Sequence, residues 1–266
     1  MLRLINVSKT FNINTCNETK ALIDINLEVK DSDFITIVGG NGAGKSTLLN
    51  SIAGVFGLTE GNIILSKKNI TDMPEYKRAN FIGRVFQDPL MGTSPEMTIE
   101  ENLSMALNKN SKLSLRWAVN KQKRKIIKEH LSEINLGLED RLNTKVKLLS
   151  GGQRQALTLL MATIIEPEIL LLDEHTAALD PATAIKIKDL TEKIISNHNI
   201  TTLMITHDMK DALRFGNRML MMNRGEIILD VNGSTKKNMT IDHLLEIFQK
   251  KHKQGFYNDR SILSLA

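Results

Sequence analysis

The chain has 266 residues, 41% of them hydrophobic, enough for one large domain or two small ones with a sizeable core. A net charge of +5 suits a nucleotide, a nucleic acid or an anionic membrane face, but aromatics at 4% are too sparse for a base-stacking surface. No apolar run reaches membrane-spanning length, and Cys16, the sole cysteine, can form no internal disulfide, in keeping with a reducing cytoplasm.

In chain order, Leu2 to Val7 alternates as a strand from the start, so no signal peptide is expected. Residues 1 to about 30 read as two or three strands around a polar loop from Asn12 to Lys20, and Ala21 to Val29 alternates with one buried face. Phe11 closes the first strand, either as a core residue or as a platform for a purine. Phe34 to Val38 is apolar and β-branched, the pattern of a buried parallel strand. Gly39-Gly40-Asn41-Gly42-Ala43-Gly44-Lys45-Ser46-Thr47 follows, and then a helical stretch that stops near Gly54. Strand, glycine loop and helix are the context that a G-x-x-x-x-G-K-S phosphate loop requires. Its glycines let successive N–H groups converge on an anion, and the helix N-terminus adds partial positive charge. Lys45 can then reach the outer phosphates, and the Ser46 hydroxyl can hold Mg²⁺.

Glu60 to Leu65 reads as a turn and a strand, and Arg84 to Phe86 as a short strand that delivers Gln87 to its end before Pro89. From about Leu90 to Leu149 the pattern is helical, with acidic residues near Ser94 to Glu101 marking a helix start. Arg116 to His130 is strongly basic, notably Lys121 to Lys128. It reads as a solvated helical face or as a contact for anionic lipid. Trp117 reads as packing. Ser150-Gly151-Gly152 opens a helix running to about Ile165, whose exposed N–H groups suit a phosphate. Ile169 to Leu172 forms a buried strand closing on Asp173 and Glu174. Asp173 can hold Mg²⁺, and Glu174, pointing elsewhere, can polarise a water. Asp180 and Pro181 cap the next helix. Thr201 to Thr206 is another buried strand, ending at His207. Arg218 to Asp230 reads as a hairpin turning at Asn223-Arg224-Gly225, and Ile241, Leu244, Leu245 and Phe248 as an amphipathic helix before a basic tail.

The phosphate loop, Gln87, Leu149-Ser150-Gly151-Gly152-Gln153, Ile169 to Glu174, Ala178-Leu179-Asp180 and His207 occur in this order. Together they resemble the ATP-binding-cassette (ABC) ATPases over nearly the whole chain. The Ser-Gly-Gly-Gln run about 20 residues before the acidic strand end is highly specific. The resemblance implies an α/β fold: a P-loop NTPase core with an antiparallel β subdomain and an inserted α-helical subdomain. Residues 1–240 would form one ATPase domain, with 1–88 and 150–240 as core and β subdomain, 89–149 as helical subdomain, and 241–266 as C-terminal helix and tail.

The resemblance also implies the cofactors ATP and Mg²⁺ and a role for each matching residue. Gly39, Asn41, Gly42, Ala43, Gly44, Lys45, Ser46 and Thr47 would bind the phosphates. Ser46 and Gln87 would ligate Mg²⁺, supported by Asp173. Glu174 would be the general base, His207 would contact the γ-phosphate, and Phe11 would stack on adenine. Ser150, Gly151, Gly152 and Gln153 would close over ATP held by a second copy of the chain, with Asp180 at that head-to-tail interface. Two departures stand out: Gly40 replaces the usual Pro or Ser, and His175 replaces the usual Pro after the catalytic Glu.

Among such proteins, a single cassette without membrane helices resembles the ATPase subunit of a bacterial importer. Its partners would be an integral membrane permease and an extracellular substrate-binding protein, and it would sit peripherally on the inner face of the cell membrane. The run from Asp173 to Pro181, with Asn217 to Met222, looks like cassettes of amino-acid importers, perhaps for aromatic amino acids. The alternative is a soluble ABC ATPase of a scaffold complex, as in iron–sulfur cluster assembly. Nucleic acid is not expected as a partner.

Overall fold

The computed structural model describes residues 2–109 and 121–252. Arg116, Trp117 and the tail after 252 lie outside the described residues. The chain divides into two compact units, Met1–Arg78 with Thr201 onward, and Ala79–Ile200.

In the first unit, β1 (Leu2–Phe11) pairs antiparallel with β2 (Thr19–Val29) on one side and with β4 (Glu60–Leu65) on the other; β5 (Lys68–Asn69) extends β4. The buried phase of β1 slips from Leu2 and Leu4 to Val7, and that of β2 from Leu22 to Ile25. Each slip brackets a residue in the left-handed region, Asn6 at φ 49° and Asp24 at φ 46°, where the ladder register shifts. A bulge inserts one residue and so moves the next side chains to the same face as before. The two bulges are tied together, because Asn6 Nδ2 donates to Asp24 Oδ1 at 2.7 Å.

A second set of strands in this unit has β3 (Phe34–Val38) at its centre, wholly buried. It runs parallel to β8 (Thr202–Ile205) and to β9 (Arg218–Asn223), and β9 turns back into β10 (Glu226–Asn232). The turn is Arg224-Gly225, both at positive φ (49° and 85°), the two-residue geometry that matches strand twist. Helix α1 (Lys45–Ala53) ends at Gly54 in the left-handed conformation. The end of the short α2 (Glu75–Arg78) closes over it. Buried Arg78 donates to the carbonyls of Ser51 and Ile52 at 2.8 Å and of Met73 and Thr71 at 2.7 Å, a cation at the negative pole of α1. After β8 come α7 (Met209–Arg214), α8 (Gly233–Lys237) and α9 (Ile241–His252), whose Leu244 and Phe248 pack with Met219 and Met221.

In the second unit, β6 (Ile82–Val85) runs parallel to β7 (Ile169–Asp173). The helices are α3 (Ile99–Leu107), α4 (Lys121–Ile134), α5 (Gly151–Thr163) and α6 (Pro181–His198). Thr98 and Glu101 form a reciprocal capping box that starts α3 later than the acidic cluster suggests. Ile127, Leu131 and Ile134 bury one stripe of α4 in a core with Leu103, Leu157 and Ile187. Lys121, Arg124, Lys125 and Lys128 lie exposed on the opposite side, with Arg124 3.4 Å from Glu100 and Lys125 3.9 Å from Glu129, a charged helix face open to solvent.

One buried cation of the first unit escapes sequence reasoning. Lys236 on α8 is 3% exposed, and its ammonium donates to the carbonyls of Phe215 and Gly216 at the end of α7. Burial pushes this amine down to about 8 from 10.5. Below pH 8 it is protonated folded and unfolded alike. Between 8 and 10.5 the unfolded chain holds the proton that the folded chain has released, so stability from this group rises with pH. Urea titrations of wild type and Lys236→Met across that window are expected to show the gap moving in favour of wild type. Parallel pH profiles would contradict it.

Candidate functional site

The phosphate loop is shaped by backbone. Gly39 has φ 154°, and a Cβ there would stand 2.2 Å from the Met222 carbonyl oxygen of β9. At Gly44, φ 98°, it would stand 2.5 Å from the Ala21 carbonyl oxygen of β2. The Gly225 N–H of the β9–β10 turn donates to the Ala43 carbonyl at 3.0 Å, and the Gly225 carbonyl accepts from Ile23 N–H at 2.9 Å. Gly40, by contrast, is not among the residues with positive φ. Glycine there is not demanded by the backbone, which agrees with the Pro or Ser usual at that position. Lys45 is buried, and its ammonium reaches back to the carbonyls of Gly39 at 2.8 Å and Gly40 at 3.0 Å. Asn41, Gly42 and Ser46 are exposed, Ala43 is buried and Thr47 half-buried.

Two further residues belong to this unit. The Thr206 N–H donates to the Ile37 carbonyl at 3.1 Å, which keeps β8 alongside β3 to the point where the phosphate loop begins. His207 follows, exposed, two residues beyond the strand rather than at its last position. Asp208 then caps α7, accepting from Lys210 N–H at 2.7 Å. Phe11 is half-buried and is not a core residue. It meets Phe56 edge to face, with ring centres 5.2 Å apart, and the Lys9 ammonium lies 5.0 and 5.1 Å from the two rings. Phe56 and Lys9 were not singled out in the sequence. Phe56 follows a helix stop with no periodic signal, and its partnership with Phe11 is long-range.

The other predicted residues fall in the second unit. Gln87 is exposed, two residues past the end of β6. The loop after it packs on α5: a Cβ on Gly92 would stand 2.5 Å from Thr158 Cγ2, and Asn102 ties Ser94 in from α3 with bonds of 2.8 and 3.1 Å. Segments 95–100 and 142–147 are joined by backbone bonds such as Val146 N–H to the Met97 carbonyl at 3.0 Å, and that leads into the Ser-Gly-Gly turn. Ser150 caps α5, its Oγ accepting from Gln153 N–H at 3.2 Å while the Gln153 side chain accepts from Ser150 N–H at 3.2 Å. A hydroxyl that accepts this way keeps its own proton to donate. The amides of Gly151 and Gly152 lie in the first turn, where no intrahelical carbonyl serves them.

The same unit brings that turn against the start of α6. A Cβ on Gly152 would stand 2.3 Å from Thr183 Cγ2, and one on Gly151 3.3 Å from Leu179. Asp180 is the N-cap, accepting from Thr183 N–H at 3.0 Å. Hydrogen bonds from the Thr183 side chain and backbone hold its carboxyl below the usual carboxylate range. Upstream, β7 closes at Asp173, half-buried, and Glu174 leaves the strand at φ 45°. A left-handed glutamate costs on the order of 1 kcal/mol and breaks the alternation of the strand. His175 follows, buried, with Nε2 3.1 Å from Thr191 Oγ1. Burial, reinforced by Lys188, pushes its imidazole down to about 4. Among the described residues no group of three or more His, Cys, Asp or Glu is placed to hold a metal ion. No described helix is long and apolar enough to cross a membrane.

The family model described as "ABC transporter" matches residues 22–177. A Clostridioides difficile (strain R20291) protein named "Tyrosine transport ATP-binding protein" is 46% identical over 251 residues, 94% of this chain and 99% of that one. Among solved structures, the ATP-binding cassette MJ0796, dimeric in a post-hydrolysis state with ADP and Pi, aligns at TM-score 0.74 and 32% identity, covering 87% of this chain and 98% of that one. The ADP conformation of the cassette MJ1267 aligns at TM-score 0.76 and 27% identity, covering 94% and 98%. With a phosphate loop built by strand, glycines and helix, and a Ser-Gly-Gly turn opening a helix, this chain belongs to the ABC transporter family as an ATP-binding cassette, the ATPase subunit of a transporter.

Proposed function

We propose that this chain powers an importer of an aromatic amino acid of the tyrosine type, through a separate membrane permease. The observation that carries the substrate class is the 46% identity, nearly end to end, with the tyrosine transport ATP-binding protein. An extracellular binding protein delivers the substrate, and the cassette sits on the inner face of the membrane. Two copies pack head to tail, and each ATP lies between the phosphate loop of one and the Ser-Gly-Gly turn of the other.

In this reading the amides of residues 39–44 and Lys45 hold the β- and γ-phosphates, which replace the Gly39 and Gly40 carbonyls as partners of the ammonium. Phe11, with Phe56 and Lys9 behind it, offers its ring to the adenine. Ser46, Gln87 and Asp173 supply a hydroxyl, an amide oxygen and a carboxylate, the all-oxygen donor chemistry that Mg²⁺ takes with phosphates. Bound there, Mg²⁺ would neutralise phosphate charge. Glu174 accepts the proton of the attacking water, and His207 orients that water at the γ-phosphate. From the second copy, Ser150 Oγ donates the proton left over from capping, and the Gly151 and Gly152 amides add two donors. Closing the pocket needs both copies. Loss of the γ-phosphate removes the contacts between them, and the opening moves the permease.

Three measurements bear on this. Glu174→Gln keeps the shape of the carboxylate and removes the base. Hydrolysis is expected to fall by roughly 10²–10⁴-fold while ATP binding persists and a closed dimer accumulates on size exclusion. Near-normal turnover would remove Glu174 from the role. Gly39→Ala drives a Cβ onto the Met222 carbonyl, whereas Gly42→Ala, at φ 74°, meets nothing within 4 Å. ATP affinity measured by calorimetry should collapse in the first. The second should show only a strain cost of about 1–2 kcal/mol. Equal effects would refute the backbone clamp. Finally, affinity capture of the tagged chain from detergent-solubilised membranes should recover an integral membrane protein, and the reconstituted complex should take up tyrosine in an ATP-dependent manner. Recovery of soluble scaffold proteins alone would overturn the transporter assignment's finer reading.

A further inference from the structure

His175 takes no part in the chemistry described so far, yet its imidazole is 3% exposed and its hydrogen bonding is directional. Thr191, 2% exposed on α6, gives its hydroxyl proton to the Ile187 carbonyl at 2.7 Å. A hydroxyl has one proton, so toward His175 it can only accept. The 3.1 Å contact is therefore Nε2–H donating to Thr191 Oγ1, which fixes the tautomer. The residue so anchored is the immediate neighbour of Glu174, whose left-handed backbone (φ 45°) persists only where its surroundings impose it. Within the loop from 174 to 180, Ala177 N–H donates to the Glu174 carbonyl at 3.0 Å and Leu179 N–H to the Thr176 carbonyl at 3.2 Å. Asp180 fastens its far end to the first turn of α6.

We propose that His175 is a positioning residue for hydrolysis: its Nε2–H bond to Thr191 fastens the start of the β7–α6 loop to α6 and so sets the direction of the Glu174 carboxylate. A proline, usual at this place in the family, would stiffen the same point through its ring. Here a buried side-chain bond supplies the constraint from outside the loop. The proposal deepens the reading of Glu174 as the base and rests on it.

His175→Leu and Thr191→Val each remove one partner with little change in volume. Each is expected to lower kcat roughly 10- to 100-fold, the cost of misplacing a reacting group by about 1 Å, with KM for ATP within about twofold of wild type. His175→Gln, which can place an amide N–H near Nε2, is expected to recover most of kcat. The double variant should be no worse than either single one, since both break one bond. Full turnover in either folded single variant would overturn the proposal. So would KM rising in step with falling kcat, or a Gln variant as slow as the Leu variant. The two readings fail separately. Turnover in Glu174→Gln sinks the base, whereas an inactive Glu174→Gln beside a fully active His175→Leu sinks only the tie.

Discussion

Backbone packed on backbone sets the shape of the phosphate loop. Residues 39–44 have almost no side chains to pack, so the loop cannot be held by a core of its own. It leans on carbonyls from two other strands: Met222 of β9 beneath Gly39, and Ala21 of β2 beneath Gly44. Gly225 then stitches all three together, with its N–H to Ala43 and its carbonyl to Ile23. The hairpin of β9 and β10 therefore serves the loop directly. Its two-residue turn brings a glycine backbone within reach of another backbone, and a longer turn or a bulkier residue would not. The bulges of β1 and β2 matter for the same reason, because β2 has to present Ala21 and Ile23 to this junction while still burying Leu22 and Ile25.

The second unit solves a similar problem at a helix end. The Ser-Gly-Gly turn is pressed against the first turn of α6, and Gly152 has no room for a Cβ beside Thr183. Capping is handled reciprocally by Ser150 and Gln153, which ties the turn to the first turn of its own helix. Thr183 also donates its N–H to Asp180. One short stretch thus couples the turn, the cap of α6 and the end of the loop that begins at Glu174. Under the proposed function, this fixed placement of donors is what electrostatic stabilisation of a transferring phosphoryl group requires.

Much of this was legible in the sequence because the signals are local. A glycine at a helix stop, a Pro after an Asp cap, a β-branched run and an Asn-Arg-Gly turn each report a conformation within a few residues, and Gly54, Asp180, β3 and the β9–β10 hairpin stand where those signals put them. Alternation also located β1 and β2, but not the phase slips at Asn6 and Asp24, since a bulge has no composition of its own. Gln87 and His207 lie two residues beyond their strands, because the last pairing is decided by the neighbouring strand and not by apolar content. Phe56 beside Phe11, Arg78 over the end of α1, Lys236 under α7 and Thr191 beneath His175 are all partnerships across the fold. A basic residue in a polar stretch reads as exposed until the structure supplies the carbonyls that bury it.

Lys45 is the buried charge of this loop. An ammonium buried without partners would cost several kcal/mol and would shift its proton equilibrium instead. The loop avoids this by turning the carbonyls of Gly39 and Gly40 onto Nζ at 2.8 and 3.0 Å. Those two carbonyls offer dipoles, and a phosphate oxygen carrying formal charge is a stronger partner than a neutral carbonyl. Under the proposed function, nucleotide binding is an exchange of partners at an ammonium already desolvated and already in place. The desolvation cost is borne in folding, where the clamp of Met222, Ala21 and Gly225 secures the loop, and little of it remains to oppose the ligand.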